Sequence, residues 1–130
     1  MSLRLTEIVV DCRDPAVLAA FWCAALGYHV VRSDDGQIEI GPWEQEPADL
    51  ADRVRQAPGA PTLVFVTVPE GKSIKNRLHF DLRPVDGSLE DEARRLVSQG
   101  ARPADVGQGT VSWVVLADPE GNEFCVLGPL

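Results

Sequence analysis

Cysteine is scarce in this chain, and its three residues, Cys12, Cys23 and Cys125, are odd in number and share no C-x-x-C spacing. This pattern argues against a disulfide framework and against a structural zinc site. Long apolar runs are missing as well, because none approaches the roughly 20 residues needed to span a bilayer. The stretch after Met1 enters a strand pattern without the apolar core of a signal peptide. We therefore expect a cytoplasmic protein with reduced thiols and no membrane partner.

Positive charge is also in short supply, since twelve Lys and Arg residues stand against twenty Asp and Glu residues and leave a formal net charge of −8. Such a chain repels a phosphate backbone, and its basic residues do not gather in one stripe, so we expect no nucleic-acid partner. The motifs G-x-x-x-x-G-K-[ST], G-x-S-x-G, G-x-G-x-x-G and H-E-x-x-H are absent. Nucleotide-binding, α/β-hydrolase, dinucleotide-binding and zinc-protease functions therefore lack their residues.

What is present is an alternation of strand and helix signals in 130 residues, enough to bury one compact core or two half-size units that share one. A β-branched strand pattern runs from Leu3 to Cys12. Asp14-Pro15 then predicts the start of an amphipathic helix that ends at Gly27. A hairpin follows around Asp35-Gly36. The first half therefore begins with the order strand, helix, strand, strand.

A loop over residues 42–61 with one helical turn, and a strand from Thr62 to Val68, complete the first half. The second half repeats the order. Its predicted elements are a strand over Asn76–Arg83, a helix between Ser88 and Gly100, and strands near 102–106, 111–116 and 123–127. The spacing agrees, because 20 residues separate Glu7 from Gly27 and 21 separate His79 from Gly100. We therefore divide the single domain into module one, residues 1–70, and module two, residues 75–130, each β-α-β-β-β.

Several motifs in this order resemble a known superfamily. They are Val10-Asp-Cys-Arg-Asp14-Pro15, Phe21-Trp22, Leu26-Gly27-Tyr28, Val68-Pro69-Glu70, Lys75-Asn-Arg-Leu-His79-Phe80-Asp81-Leu82 and Asp118-Pro-Glu-Gly-Asn122-Glu-Phe-Cys-Val-Leu127. Together they resemble the vicinal-oxygen-chelate superfamily of glyoxalases, bleomycin-resistance proteins and extradiol dioxygenases, in particular its glyoxalase-like branch. The resemblance implies an α+β fold in which two βαβββ modules form a curved, incomplete-barrel sheet around a cavity, with the helices outside. It also implies a homodimer that binds a small molecule.

The resemblance further implies a place for one metal ligand on the first and last strand of each module. Here those places hold Glu7, Val66, His79 and Cys125. Valine cannot ligate, and cysteine is a poor ligand for Mg²⁺, Mn²⁺ or Ca²⁺, although it suits Zn²⁺ or Ni²⁺. A catalytic ion needs about three protein ligands and two good ones remain. We expect no metal cofactor; if a divalent ion binds, Glu7 and His79 are its ligands.

Strand parity predicts which side chains face the cavity. It places Arg77, His79, Asp81 and Arg83 on one face of the fifth strand and Leu78, Phe80 and Leu82 on the other, beneath the helix. We expect Glu7, His79 and Cys125 to converge. Glu7 and His79 would then act as a catalytic acid–base pair. The alternatives are a hydrogen bond left over from a former metal site, or a polar patch that orients a ligand without chemistry.

Further residues are predicted to contact the ligand or line the cavity. They are Trp43, Trp113, Arg77, Asp81, Val66 and Cys125. Trp43 begins the loop over residues 42–61 and would act there as a lid, or else anchor the loop on the surface. Arg77 would bind an anionic group of the ligand, or else form a solvated salt bridge. We expect Cys125 to serve packing, since nothing in the sequence lowers its pKa.

Three functions fit these residues. The first is a glyoxalase-like lyase or isomerase that acts on a small oxygenated substrate. The second is a metal-free binding protein that sequesters a drug or metabolite, as bleomycin-resistance relatives do. The third is a regulatory or structural homodimer with a vestigial cavity. Fold alone does not choose among them, because one scaffold carries many activities.

Overall fold

The computed structural model describes residues 2–130, which form two compact units divided after Glu70. Each unit contains a four-stranded sheet with one long helix packed against it, so the α+β class predicted from the sequence is confirmed. The first unit contains β1 (Glu7–Cys12), α1 (Pro15–Leu26), β2 (His29–Asp34), β3 (Gln37–Gly41), α2 (Leu50–Gln56) and β4 (Thr62–Thr67). The second contains β5 (Asp81–Leu82), α3 (Leu89–Ser98), β6 (Arg102–Pro103), β7 (Val114–Ala117) and β8 (Glu123–Val126).

The first sheet has the strand order β1-β4-β3-β2, with β1 parallel to β4 and the remaining pairs antiparallel. Its core lies between the sheet and α1, where Leu18 and Phe65 are fully buried. Side chains on β1 alternate between the two faces of the sheet as predicted. Glu7 and Val9 are exposed, whereas Ile8 and Val10 are half-buried. One face of this sheet therefore carries the apolar core and the other is open for a ligand.

The residues predicted to begin and end α1 do so in the structure. The Asp14 side chain accepts a hydrogen bond from the N–H of Val17 at 3.3 Å, which satisfies one of the free amides of the first turn. Gly27 ends the helix in the left-handed region at φ +68°, and its N–H donates to the carbonyl of Cys23 at 2.9 Å. The predicted hairpin is present as well, with Asp34 paired to Gln37 across the turn. These predictions are confirmed.

The second sheet has the order β5-β8-β7-β6, again with its first two strands parallel. The predicted cap of α3 is confirmed, because Ser88 Oγ accepts the N–H of Asp91 at 3.1 Å. The turn between β7 and β8 is organised by Asp118, whose carboxylate is 1% exposed and accepts the N–H groups of Glu120 and Asn122, both at 2.9 Å. This turn fixes where β8 begins.

The strand predicted over Asn76–Arg83 is wrong for most of its length, because only Asp81 and Leu82 are β5. Leu78, predicted to lie beneath the helix, is 90% exposed. The physical reason is that the side chain of Glu123, rather than the backbone of a neighbouring strand, binds the beginning of this segment. Its carboxylate accepts the N–H of Asn76 at 3.0 Å and pairs with Lys72 at 2.8 Å. Asn76 is thereby held by a side chain, and backbone bonding to β8 begins only at Phe80, whose carbonyl accepts the N–H of Cys125.

Two other boundaries differ from the sequence prediction. β1 begins at Glu7 rather than Leu3, because its partner β4 begins at Thr62, the residue opposite Glu7. The single turn predicted in the loop over residues 42–61 is a seven-residue helix, Leu50–Gln56. Within residues 2–130, none of the helices combines the length and the apolar character that a membrane crossing requires.

Candidate functional site

His79, Asp81 and Cys125 form a cluster on the open face of the second sheet. One donor atom from each of these side chains lies within 4.8 Å of the others. The Nε2 atom of His79 is 3.3 Å from Oδ1 of Asp81. Asp81 is directly opposite Cys125 in the parallel ladder of β5 and β8, so both side chains project from the same face of the sheet. Of the three residues predicted to converge, Glu7, His79 and Cys125, this unit brings His79 and Cys125 together, and Asp81 lies beside them.

The alternation of β8 explains why Cys125 faces outward. Phe124 and Val126 are 1% and 2% exposed and lie in the core with Leu96 of α3. Cys125, between them, is half-buried on the other face. The backbone on the opposite strand is held by two hydrogen bonds, from Cys125 N–H to the carbonyl of Phe80 and from Leu127 N–H to the carbonyl of Leu82. The cluster thus stands on a rigid backbone although His79 precedes the strand.

A cavity of about 200 Å³ adjoins this cluster. Its lining residues are His79, Asp81, Trp113, Cys125 and Leu127. The side chains of His79 and Asp81 are 44% and 57% exposed, so water, ions and small solutes reach them. Arg77 is exposed and lies outside this lining, and Asp81 pairs with His79 rather than with an arginine. Trp113 and Asp81 therefore keep their predicted place beside His79, whereas Arg77 does not line this cavity.

The electrostatics of the cluster keep the Cys125 thiol neutral. Burial raises the pKa of Cys125, and the negative charge of Asp81 and a hydrogen bond with its carboxylate raise it further. The positive charge of Lys75 lowers the pKa and offsets part of this effect. Cys125 is therefore a weak nucleophile at neutral pH. This agrees with the expectation from the sequence that Cys125 serves packing.

Replacement of Asp81 by asparagine is expected to make Cys125 react faster with iodoacetamide near neutral pH. The substitution removes a charge that opposes thiolate formation, so the rise of the rate with pH should shift to lower pH. The rate is measured by mass spectrometry of the peptide that contains Cys125. Cys23 is the internal control, because its pKa is raised by burial alone and its rate should not change. Equal Cys125 rates in the wild type and the variant would contradict the assigned role of Asp81.

A larger cavity of about 510 Å³ lies in the first unit, between the open face of the sheet and the loop that carries α2. Its lining includes Glu7 from β1, Thr62 from β4, Glu39 from β3 and Trp43 from the loop. Two of the predicted site residues, Glu7 and Trp43, therefore line the same cavity. Val66 does not belong to this lining and is paired with Asp11 further along β4.

A buried carboxylate organises the polar wall of this cavity. Glu39 has a side chain only 9% exposed, and both of its oxygens are bonded. Thr62 Oγ1 donates to Oε2 at 2.7 Å, and Arg32 Nε donates to Oε1 at 3.0 Å. Arg32 also reaches Glu46 at 3.0 Å, and both carboxylates raise its pKa, so it stays protonated. One guanidinium on this wall is therefore shared by two carboxylates.

Trp43 covers the end of β3 because Gly41 leaves room for its ring. A Cβ atom at Gly41 would lie 2.9 Å from Cζ3 of Trp43 and 3.2 Å from the methyl group of Thr62. Real side chains essentially never approach so closely, so the indole lies against the glycine only because no side chain is there. Trp43 thus forms part of the cavity wall, and its action as a lid stays a prediction.

Sequence reasoning missed Arg32 and Glu39. The sequence around Glu39 carries no signal of its burial, because a carboxylate between Ile38 and Ile40 is the ordinary alternation of a half-buried strand. Arg32 could be found only with knowledge of the register, which brings it opposite Glu39 across the hairpin. The predicted pairing of Glu7 with His79 stays a prediction, because the two residues belong to different units.

One family of known proteins matches most of the chain. A family model described as "Glyoxalase-like domain" matches residues 7–127. Comparison with curated protein sequences gives no significant match.

Solved structures share the fold at low sequence identity. A glyoxalase/bleomycin resistance protein/dioxygenase family enzyme from Burkholderia phytofirmans has a TM-score of 0.64 at 18% identity, covering 95% of this chain and 97% of that chain. Glyoxalase I from Leishmania major, described as trypanothione-dependent, has a TM-score of 0.62 at 13% identity, with coverage of 97% and 86%. A mutant of the fosfomycin resistance protein FosX from Listeria monocytogenes, complexed with Mn(II) and 1S,2S-dihydroxypropylphosphonic acid, has a TM-score of 0.65 at 9% identity, with coverage of 100% and 92%.

Proposed function

The chain belongs to the glyoxalase-like domain family, and from this membership we propose that it binds a small molecule in the cavity over the open face of its first sheet. The observation that carries the proposal is the cavity of about 510 Å³. Its size falls within the range of about 300–1,000 Å³ typical of ligand pockets. The vicinal-oxygen-chelate fold and family predicted from the sequence are both confirmed.

The lining of the cavity defines the class of ligand. Its charged residues are three arginines and three glutamates, so its formal charge is balanced: Arg4, Arg32, Arg55, Glu7, Glu39 and Glu46. The guanidinium of Arg4 is held by the carbonyls of Val54 and Arg55 at 2.8 and 3.3 Å, and Arg32 is held by the two glutamates described above. Because the donors of Arg4 are occupied by carbonyls and Arg32 is paired with carboxylates, the cavity favours an uncharged ligand with a flat apolar part that stacks on Trp43.

Two functions of the family differ in what happens after binding. Sequestration of a drug or metabolite without turnover is supported by the charge-balanced, partly apolar first cavity. A lyase or isomerase reaction is supported by the contact of His79 with Asp81, since a carboxylate that orients an imidazole is a common arrangement at reacting centres. In that case Glu7 is the proposed second group of the acid–base pair.

Replacement of Trp43 by alanine is expected to abolish the thermal stabilisation that uncharged aromatic ligands give the protein, because it removes the stacking surface of the first cavity. A screen of small metabolites and antibiotics by thermal shift supplies the ligands. Trp113→Ala is the matched control, since Trp113 lines the second cavity and not the first. Ligand shifts that survive Trp43→Ala but disappear in Trp113→Ala would refute the first cavity as the binding site.

A product assay on each ligand from the screen separates the two functions. Turnover that His79→Gln and Glu7→Gln each reduce by about 10²-fold or more is the outcome for acid–base catalysis. Binding with no product in the wild type is the outcome for sequestration. Turnover that neither variant changes would remove His79 and Glu7 from the proposed chemistry.

A further inference from the structure

The helix α2 lies over the first cavity and packs little of its surface against the rest of the first unit. Five of its seven residues are exposed, and Leu50 and Val54 are half-buried. These two residues and Ala51 line the cavity, so the apolar side of the helix faces the space proposed for the ligand. An isolated helix shorter than about 12–15 residues is marginal in water. The stability of α2 therefore depends on contacts that other parts of the first unit make with it.

Arg4 binds the carboxyl end of α2. Its Nε donates to the carbonyl of Val54 at 2.8 Å, and its Nη2 donates to the carbonyl of Arg55 at 3.3 Å. The last carbonyls of a helix lack partners within the helix and form the negative end of its dipole, so a guanidinium supplies both hydrogen bonds and favourable charge there. The segment that carries Arg4 is fixed to the sheet, because the N–H of Thr62 in β4 donates to the carbonyl of Thr6 at 3.0 Å. Arg4 thus joins α2 to the sheet.

The two ends of the segment that carries α2 are fixed by other residues. Trp43 lies against Gly41 of β3, and the hydroxyl of Tyr28 donates to the carbonyl of Pro61 at 3.0 Å. We call residues 44–60, which lie between these two points, the lid segment. The motifs that carry the family resemblance all lie outside it, so the resemblance assigns this segment no role.

We propose that the lid segment opens and closes over the first cavity, and that Arg4 is the latch that keeps it closed. This role depends on the proposed function, because the lid segment closes the cavity assigned there to the ligand. Segments with few buried apolar contacts open at the lowest free energy in a folded protein, and lids are drawn from them. Arg32 and Glu46 also join the lid segment to the sheet at 3.0 Å, but water screens this pair, whose side chains are 57% and 36% exposed. The bonds of the half-buried Arg4 are therefore the main obstacle to opening.

A ligand in the first cavity is expected to stabilise the closed lid segment. An uncharged aromatic molecule on Trp43 covers the apolar side chains of Leu50 and Val54, which otherwise face the open cavity. A ligand shifts the equilibrium of a segment only through contacts that differ between its two states, and these side chains supply such contacts. Arg4 binds the carbonyls of α2 whether or not a ligand is present. It therefore controls the rates of entry and release more than the affinity.

Hydrogen exchange of the full chain without any ligand tests the latch. The hydrogen-bonded amides of α2 should be protected at least about tenfold less than those of α1, and Arg4→Met should lower their protection by a further factor of about three or more. Protection of α1 and β4 should stay unchanged. Arg4→Lys keeps the charge but lacks the fork of donors, so its effect should be intermediate. Arg83→Met is the matched control, because Arg83 also donates to a backbone carbonyl, that of Gly128 at 3.0 Å, in the second unit.

Stopped-flow binding of Nile red, an uncharged aromatic dye that fluoresces in apolar surroundings, tests the control of access. Arg4→Met is expected to raise the association and dissociation rate constants together, each by about threefold or more, while the Kd changes by less than about twofold. A merely structural role of Arg4 would weaken the Kd without faster association. Arg83→Met should leave both rate constants unchanged.

The outcomes separate the latch from the proposed function. Equal protection of α2 in the wild type and in Arg4→Met, or dye association that Arg4→Met does not accelerate, would overturn the latch. Dye binding that survives Trp43→Ala would count against the first cavity as the ligand site, and the exchange of the ligand-free chain would still decide on the latch.

Discussion

Arg32→Met is expected to lower the free energy of unfolding, because it leaves the Glu39 carboxylate, whose side chain is 9% exposed, without its cation. Removal of one partner from a fully buried ion pair costs about 3–5 kcal/mol. Arg32 is itself 57% exposed and screened by water, so the expected loss lies well below that range. Urea denaturation measures the loss in the free energy of unfolding. Hydrogen exchange of the backbone amides of β3 and β4 then locates that loss in the first unit.

The control for this prediction keeps the shape of the site and removes the charge. Glu39→Gln still offers an oxygen to the hydroxyl of Thr62, which lies 2.7 Å from the carboxylate. The double variant, Arg32→Met with Glu39→Gln, is therefore expected to regain part of the stability that Arg32→Met alone loses. If the double variant is no more stable than Arg32→Met, the buried charge of Glu39 is not the cause.

The second large effect is expected at the turn of the second unit. Asp118→Ala should destabilise the protein by about 2–4 kcal/mol, because the N–H groups of Glu120 and Asn122 both lose their acceptor. Asn122 also loses the partner of its side-chain amide, which is 2.9 Å from the Asp118 carboxylate. Thermal and urea denaturation measure the loss. Since the turn joins β7 to β8, exchange of the β8 amides should increase most.

Asp105→Ala is the matched comparison for this change. Asp105 also accepts a backbone N–H in a turn, that of Gly107 at 2.8 Å, but it is exposed and water can replace it. Its loss should cost about 1 kcal/mol or less. Equal effects of the two substitutions would contradict the view that burial of Asp118 makes its hydrogen bonds costly to lose.

Local signals predicted the elements whose boundaries depend on nearby residues. The helix from Pro15 to Leu26 has its N-cap and its terminating glycine within the chain itself, and both act as expected. The segment from Asn76 to Arg83 has the alternation of a strand, but a strand also needs a backbone partner along its length. That partner is replaced by the Glu123 side chain, a contact across 47 residues that periodicity does not contain.

Some residues of the candidate sites could be found from the sequence, and others could be found only from the folded structure. His79 and Cys125 were found because they stand at ligand positions of a family that the motifs resemble, and the structure brings both to one face of the second sheet. Asp81 was placed on the same face as His79 by parity, but its position directly opposite Cys125 required the register of β5 and β8. Arg32 and Glu39 were missed, because a hairpin register and a buried partner at Thr62 are properties of the folded chain.

The absence of a side chain at Gly41 gives laboratory evolution a means to reshape the proposed ligand cavity of the first unit. Even alanine there would collide with the indole of Trp43, and the ring would have to swing away from β3. The backbone at this position is ordinary, so the substitution costs little conformational energy by itself. Selection for new ligands should therefore recover changes at residue 41 as often as at positions that touch the bound molecule.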